Sequence, residues 1–94
     1  MQPVFSAILG PASELTGLLK AQPELAAERM TADELLPDIH WLYVGDTPLH
    51  VAAVAPRPDA VRALITVGAD VRATNRRRAT PLHYACDPRP DSDR

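Results

Sequence analysis

The chain has 94 residues, 46% of them hydrophobic, with four aromatic rings at Phe5, Trp41, Tyr43 and Tyr84. This length gives one small domain, and a core built from Ala, Leu, Val and Ile suits close helix packing. The net charge of −2 exerts no global pull on nucleic acid or anionic lipid, and no apolar run approaches the ~20 residues that span a bilayer.

The start Met1-Gln2-Pro3-Val4 lacks the basic region of a signal peptide. A single cysteine, Cys86, makes no internal disulfide and fits a reducing, cytoplasmic setting. Charge is unevenly spread: residues 1–50 carry two basic against seven acidic side chains, and residues 51–94 carry eight Arg against five Asp. Nine of the ten basic residues are Arg, and Ala and Pro are abundant. This bias points to a GC-rich bacterial genome rather than to a function.

In chain order, Phe5 to Leu9 reads as a first helix, Gly10-Pro11 as a turn, and Ser13 to Ala21 as a second helix that Gln22-Pro23 stops. Thr31-Ala32-Asp33-Glu34 has a capping-box pattern and predicts a one-turn helix through Leu36, before Pro37. Ile39, Trp41 and Tyr43 then alternate with His40, Leu42 and Val44, the pattern of an extended arm. Thr47 caps the next helix, Pro48 takes its first position, and Leu49, Ala52 and Ala53 form one apolar stripe. Pro56-Arg57-Pro58 breaks that helix, Asp59 caps another, and Val61, Leu64 and Ile65 give it a stripe. Gly68 suits the left-handed position just past its end. A polar loop, Arg72 to Ala79, leads to Thr80, which opens the last helix.

The word Thr47-Pro48-Leu49-His50-Val51-Ala52-Ala53 returns as Thr80-Pro81-Leu82-His83-Tyr84-Ala85-Cys86 after 33 residues, with five of seven positions identical. Cys86 stands where Ala53 stood and reads as a small core residue rather than a nucleophile. The N-terminal part aligns at a stride of 46, which leaves 13 extra residues between the first and second units.

With Gly45 two places before Thr47, the paired words, Leu64-Ile65 and Gly68-Ala69-Asp70, the chain resembles the ankyrin repeat family. The resemblance implies an all-α solenoid of stacked helix-turn-helix units with extended loops, about two and a half repeats long. Residues 1–94 then form a single domain: 3–27 a degenerate N-terminal unit acting as a cap, 28–44 an inserted arm, 45–77 a full repeat, 78–86 a partial repeat, and 87–94 a disordered tail. The arm's apolar content favours folding over its own stack; the other reading makes Trp41 and Tyr43 a partner-binding edge. The incomplete third unit leaves Leu82 and Tyr84 partly uncovered, which implies a marginally stable monomer, a homodimer through the open C-terminal end, or a fragment of a longer gene. At the position of Gly45 the third unit has Arg78; a left-handed backbone there would strain Arg78 by roughly 1–2 kcal/mol.

Three His and one Cys raise the question of zinc. His50 and His83 hold the same place in adjacent units, ~8–10 Å apart, whereas ligands of one zinc lie ~2.0–2.3 Å from it. The resemblance implies that Thr47, Pro48, Leu49, His50, Thr80, Pro81, Leu82 and His83 are structural motif residues, the histidines bracing one repeat on the next. No nucleophile, phosphate-loop or dinucleotide motif occurs, so neither catalysis nor a cofactor or metal is expected. Arg76-Arg77-Arg78 reads either as a solvated charge run or as a basic contact for an acidic partner. Three Arg without interleaved aromatics argue against a nucleic-acid track. The expected function is a non-catalytic protein-protein interaction module, contacting an unidentified protein through Asp46, Val51, Arg76, Arg77 and Tyr84. The alternative is a capping or truncated fragment of a longer ankyrin array without independent activity.

Overall fold

The computed structural model describes residues 2–36 and 40–86. The expected tail at 87–94, residues 37–39 of the arm, and the core role expected of the Cys86 side chain lie outside what is described. Five α-helices form the frame: α1 (Pro3–Leu9), α2 (Ala12–Ala21), α3 (Pro48–Val54), α4 (Pro58–Thr66) and α5 (Pro81–Cys86). A 3-10 helix (Pro23–Ala27) follows α2, and two strands, β1 (Glu34–Leu36) and β2 (His40–Leu42), lie between it and α3.

Each helix starts for a local reason. Four of the five, α1, α3, α4 and α5, have proline as their first residue, where a missing N–H costs nothing. The cap of α3 is the most complete. The His50 N–H donates to Thr47 Oγ1 at 3.4 Å, and the Thr47 N–H donates back to His50 Nδ1 at 3.0 Å. This is a capping box in which an imidazole takes the place of the usual Glu. The same bracket opens α5: Thr80 N–H to His83 Nδ1 at 2.9 Å and His83 N–H to Thr80 Oγ1 at 3.3 Å. Asp59 is not the cap of α4 that the sequence suggested; the helix begins two residues earlier, with Arg57 at the cap and Asp59 in the first turn. At its other end Gly68, with φ +91°, closes the helix. Its N–H reaches Ile65 O at 2.9 Å, and that of Ala69 reaches Leu64 O at 3.0 Å, the paired bonds of a Schellman stop.

The helices make two layers. In the inner layer α3 packs between α1 and α5; in the outer layer α2 packs against α4; within units α1 contacts α2 and α3 contacts α4. Phe5, Ile8, Leu15, Leu42, Val51 and Leu64 are fully enclosed between them. Each such side chain contributes about 1.5–3 kcal/mol by leaving water. Leu49 and Leu82 face the same side of the stack, as the repeated word requires. Leu49 is buried while Leu82 is 70% exposed.

The helix expected at Thr31–Leu36 is not formed. Residues 34–36 are β1, antiparallel to β2, with Glu34 opposite Leu42, Leu35 opposite Trp41 and Leu36 opposite His40. A capping box supplies only local bonds; cross-strand pairing plus the burial of Leu42 in the core outweighs them. The Asp33 carboxylate accepts the Val44 N–H at 2.9 Å. The extended reading of the arm holds over 40–42.

Candidate partner-binding surface

The loops that lead into α3 and α5 lie side by side at one edge of the stack. Backbone bonds set their spacing. Met30 N–H donates to Asp46 O at 2.8 Å, Gly45 N–H to Met30 O at 2.9 Å, and Arg76 N–H to Val44 O at 3.0 Å. Gly45, at φ +89°, leaves room for this approach; a Cβ there would meet the Asn75 and Arg76 backbone at 3.2 Å. Arg29 adds a tie from outside, its Nη1 donating to Gly45 O at 3.0 Å and Thr74 O at 2.6 Å.

Beneath the loops sits a buried polar cluster. Asp46 is fully enclosed. Its carboxylate accepts the Tyr43 N–H at 2.9 Å, Asn75 Nδ2 at 2.7 Å, and the Tyr84 hydroxyl, whose oxygen lies 2.9 and 2.8 Å from its two oxygens. Asn75 turns its own loop, its Oδ1 accepting the N–H groups of Arg77 (2.8 Å) and Ala79 (3.0 Å). Burial first, and then the bond to Asp46, push the Tyr84 hydroxyl far above the usual phenol range, so it remains a donor. The Tyr84 ring stands edge-on to His50, centroids 5.1 Å apart. His50 Nε2 lies 2.8 Å from Ala79 O in the next unit. Because Nδ1 accepts from Thr47, the proton is on Nε2 and that contact is a donated bond. Burial holds the imidazole below its ordinary range. Among the described residues no buried side-chain N or O lacks a partner.

These positions correct three sequence expectations. Asp46, Val51 and Tyr84, expected to contact a partner, are inside the fold. Val51 is enclosed in the core under the inner layer, and Asp46 and Tyr84 satisfy each other across 38 residues of chain. The expected partial exposure of Tyr84 is corrected with them. The motif residues Thr47, Pro48, Leu49 and His50 are buried, and Thr80 and His83 form the second bracket at the open end. Pro81 is buried and Leu82 is not.

Above the cluster, the fingertip is exposed and basic. Arg76, Arg77 and Arg78 are solvent-facing. The Arg76 and Arg77 guanidinium carbons lie 5.4 and 4.9 Å from the Tyr43 ring centroid, and Arg77 Nη1 donates to the Tyr43 hydroxyl at 3.0 Å. Such cation–π contacts are weak at exposed sites. Arg76 also pairs with Asp33 through Nη2, with Nε at 3.2 Å from the other carboxylate oxygen. This fork, helped by the Val44 N–H, holds the Asp33 carboxyl below its ordinary range. Trp41 is 49% exposed on the adjoining strand. Of the expected contact residues, then, the structure brings together Arg76 and Arg77. It adds Asp33 as a partner that no local pattern in the sequence marks. It also places Asn75 beneath them, a residue whose type favours turns.

The geometry agrees with what the chain is similar to. A family model described as ankyrin repeats (3 copies) matches residues 18–91. The chain is 45% identical over 49 residues to human neurogenic locus notch homolog protein 4, covering 52% of this chain and 2% of that protein. It is 46% identical over 46 residues to the mouse B-cell lymphoma 3 protein homolog, covering 49% of this chain and 10% of the relative. It is 42% identical over 41 residues to NF-kappa-B inhibitor alpha of Sus scrofa, covering 44% and 13%. The chain thus spans a small part of each of these relatives. The matched stride, the Thr–His brackets and the two-layer stack agree, and the chain belongs to the ankyrin repeat family.

Proposed function

We propose that the chain is a non-catalytic protein-interaction module whose fingertip, Arg76 and Arg77 with Tyr43, holds an acidic segment of a partner protein. The observation that carries this reading is the pair of guanidinium groups laid on one tyrosine ring at the exposed edge of the stack. Arg and Tyr are the side chains most often found at energetic centres of interfaces, and the Arg fork matches a carboxylate. Family membership supports a binding role, as does the name of one relative, NF-kappa-B inhibitor alpha.

The division into a capping unit (3–27), arm (28–44), full repeat (45–77) and partial repeat (78–86) belongs to the same proposal. So does a cytoplasmic and bacterial setting, drawn from composition; the relatives named above are animal proteins. Among the described residues no helix is long and apolar enough to cross a membrane. A second reading, a capping piece of a longer ankyrin array, is favoured by the small share of each relative that the chain spans.

The test is a titration with a Glu-rich peptide, followed by the fluorescence of Trp41, for wild type and for Arg76→Ala/Arg77→Ala. Saturable, salt-sensitive binding by the wild type that the double variant loses supports the reading. An equal response from both proteins, or the same response to a Lys-rich peptide, overturns it.

A further inference from the structure

The register of β1 on β2 shows which side chains share a face of this hairpin. The pairs Glu34–Leu42 and Leu35–Trp41 point to opposite sides, because side chains alternate along a strand. Leu42 is fully buried in the core, so its face looks inward. Leu35 and Trp41, directly opposite each other, look outward, and each is 49% exposed. Carried one step past Glu34–Leu42, the same register sets Asp33 opposite Tyr43, on the face of Leu35 and Trp41. Arg76 agrees with this placement, since it donates to the Asp33 carboxylate and lies over the Tyr43 ring.

The outward face is therefore one continuous strip. At one end Arg76 and Arg77 lie over Tyr43. At the other, Leu35 and Trp41 form an apolar pair. Two residues of extended chain separate Trp41 from Tyr43, a rise of about 6.5 Å. An extended peptide sets every second side chain on one side at the same spacing. An acidic side chain that reaches Arg77 thus carries the side chain two positions away onto Leu35 and Trp41. A large apolar group gains there by leaving water, whereas a charged one loses hydration against apolar surface. Continuity with the fingertip selects the occupant: it is the same segment that pairs with the arginines.

We infer that the outer face of the hairpin, Leu35 with Trp41, receives a large apolar side chain lying two positions from the acid that the fingertip holds. This rests on the fingertip reading and adds a second element to the recognised pattern, an acid and an apolar residue with one residue between them.

NMR titrations of the 94-residue chain with three capped peptides of equal charge test it. Ser-Glu-Gly-Leu-Gly-Glu-Ser has leucine two positions from a glutamate in either direction. Ser-Glu-Gly-Ser-Gly-Glu-Ser lacks the apolar group, and Ser-Glu-Leu-Gly-Gly-Glu-Ser shifts it to the opposite side of an extended chain. The first peptide is expected to bind about 3- to 10-fold more tightly than the other two. It should also shift the indole N–H of Trp41, the chain's single tryptophan. Leu35→Ser is expected to remove the preference and leave the serine peptide's Kd unchanged. Equal Kd values for the three peptides on the wild type, the same gain from the shifted leucine, or a preference that survives Leu35→Ser overturns the inference and leaves the fingertip reading standing. If Leu35→Ser disturbs the loop and weakens all three peptides, the wild-type comparison decides alone. Binding of the serine peptide that is indifferent to Arg76→Ala/Arg77→Ala overturns the fingertip reading, and this inference with it.

Discussion

Replacing Tyr84 by Phe removes one oxygen and leaves the ring. The lost group is the donor that spans both carboxylate oxygens of Asp46 at 2.9 and 2.8 Å and also receives Asn75 Nδ2 at 2.9 Å. A hydrogen bond to a charged acceptor contributes about 1.5–3 kcal/mol net. Asp46 keeps the Tyr43 N–H and Asn75 as donors, so the loss belongs in the middle of that range, about 2 kcal/mol. The edge-on contact with His50 survives and offsets nothing further. For a domain of this size, 1 kcal/mol moves Tm by roughly 4–8 °C, so Tyr84→Phe lowers Tm by about 8–16 °C. Urea unfolding followed by circular dichroism measures it. A double-mutant cycle with Asp46→Ala isolates the pair and should return a coupling of about 1 kcal/mol or more. A loss under about 0.5 kcal/mol, the size of an ordinary surface change, would show that the hydroxyl is not the buried clasp described here.

Two further perturbations address the turns and the imidazole. Gly45→Ala meets backbone at 3.2 Å with φ at +89° and should cost about 1–3 kcal/mol, whereas Arg78→Gly relieves a left-handed arginine at φ 62° and should stabilise by about 1 kcal/mol or less after the entropy cost of glycine; a lower urea midpoint for Arg78→Gly contradicts the turn assignment. His50 is held below its ordinary range by burial, so between the unfolded value of about 6.5 and the lower folded value the unfolded chain binds more protons. Stability from this group is complete above that unfolded value and falls on acidification through it, with a limiting slope of about 1.4 kcal/mol per pH unit; urea midpoints that stay level or rise from neutral pH toward pH ~5.5 refute the neutral bracket.

The parts of this fold legible in the sequence are those that recur. Thr47 and Thr80 announce the same helix start because Thr, Pro and His each supply a local bond or a fixed angle within four residues. The left-handed backbone at Arg78 follows from its equivalence with Gly45, not from the properties of arginine. The readings that failed are those that depend on partners far along the chain. Thr31 to Glu34 carries a genuine helix-start pattern, yet β1 is fixed by Trp41 and Leu42 on the facing strand. Asp46 and Tyr84 look like contact residues until the chain brings them together across 38 positions. Arg76 finds Asp33 across 43 positions. No periodicity encodes either meeting, because each joins a loop residue to a side chain that only the folded chain brings beside it.

The buried cluster and the exposed fingertip are one device. Asn75 uses its amide donor on Asp46 and its carbonyl on the Arg77 and Ala79 N–H groups, so the group that anchors the loop to the core also aims the arginine that follows. The Arg76 N–H is fixed on Val44 O, so both arginines leave the backbone from set positions. In the proposed interface, a partner would meet two arginines whose backbone N–H groups are already fixed, and less freedom would be lost on contact. Asp33 shows what Arg76 accepts, since its carboxylate already takes the fork. An incoming acid must displace it or add to Arg77, whose contacts are a ring face and a phenol oxygen and hold it less firmly than a carboxylate would. On the proposed reading, affinity at this edge would rest on Arg77 first, with Asp33 as the internal competitor for Arg76.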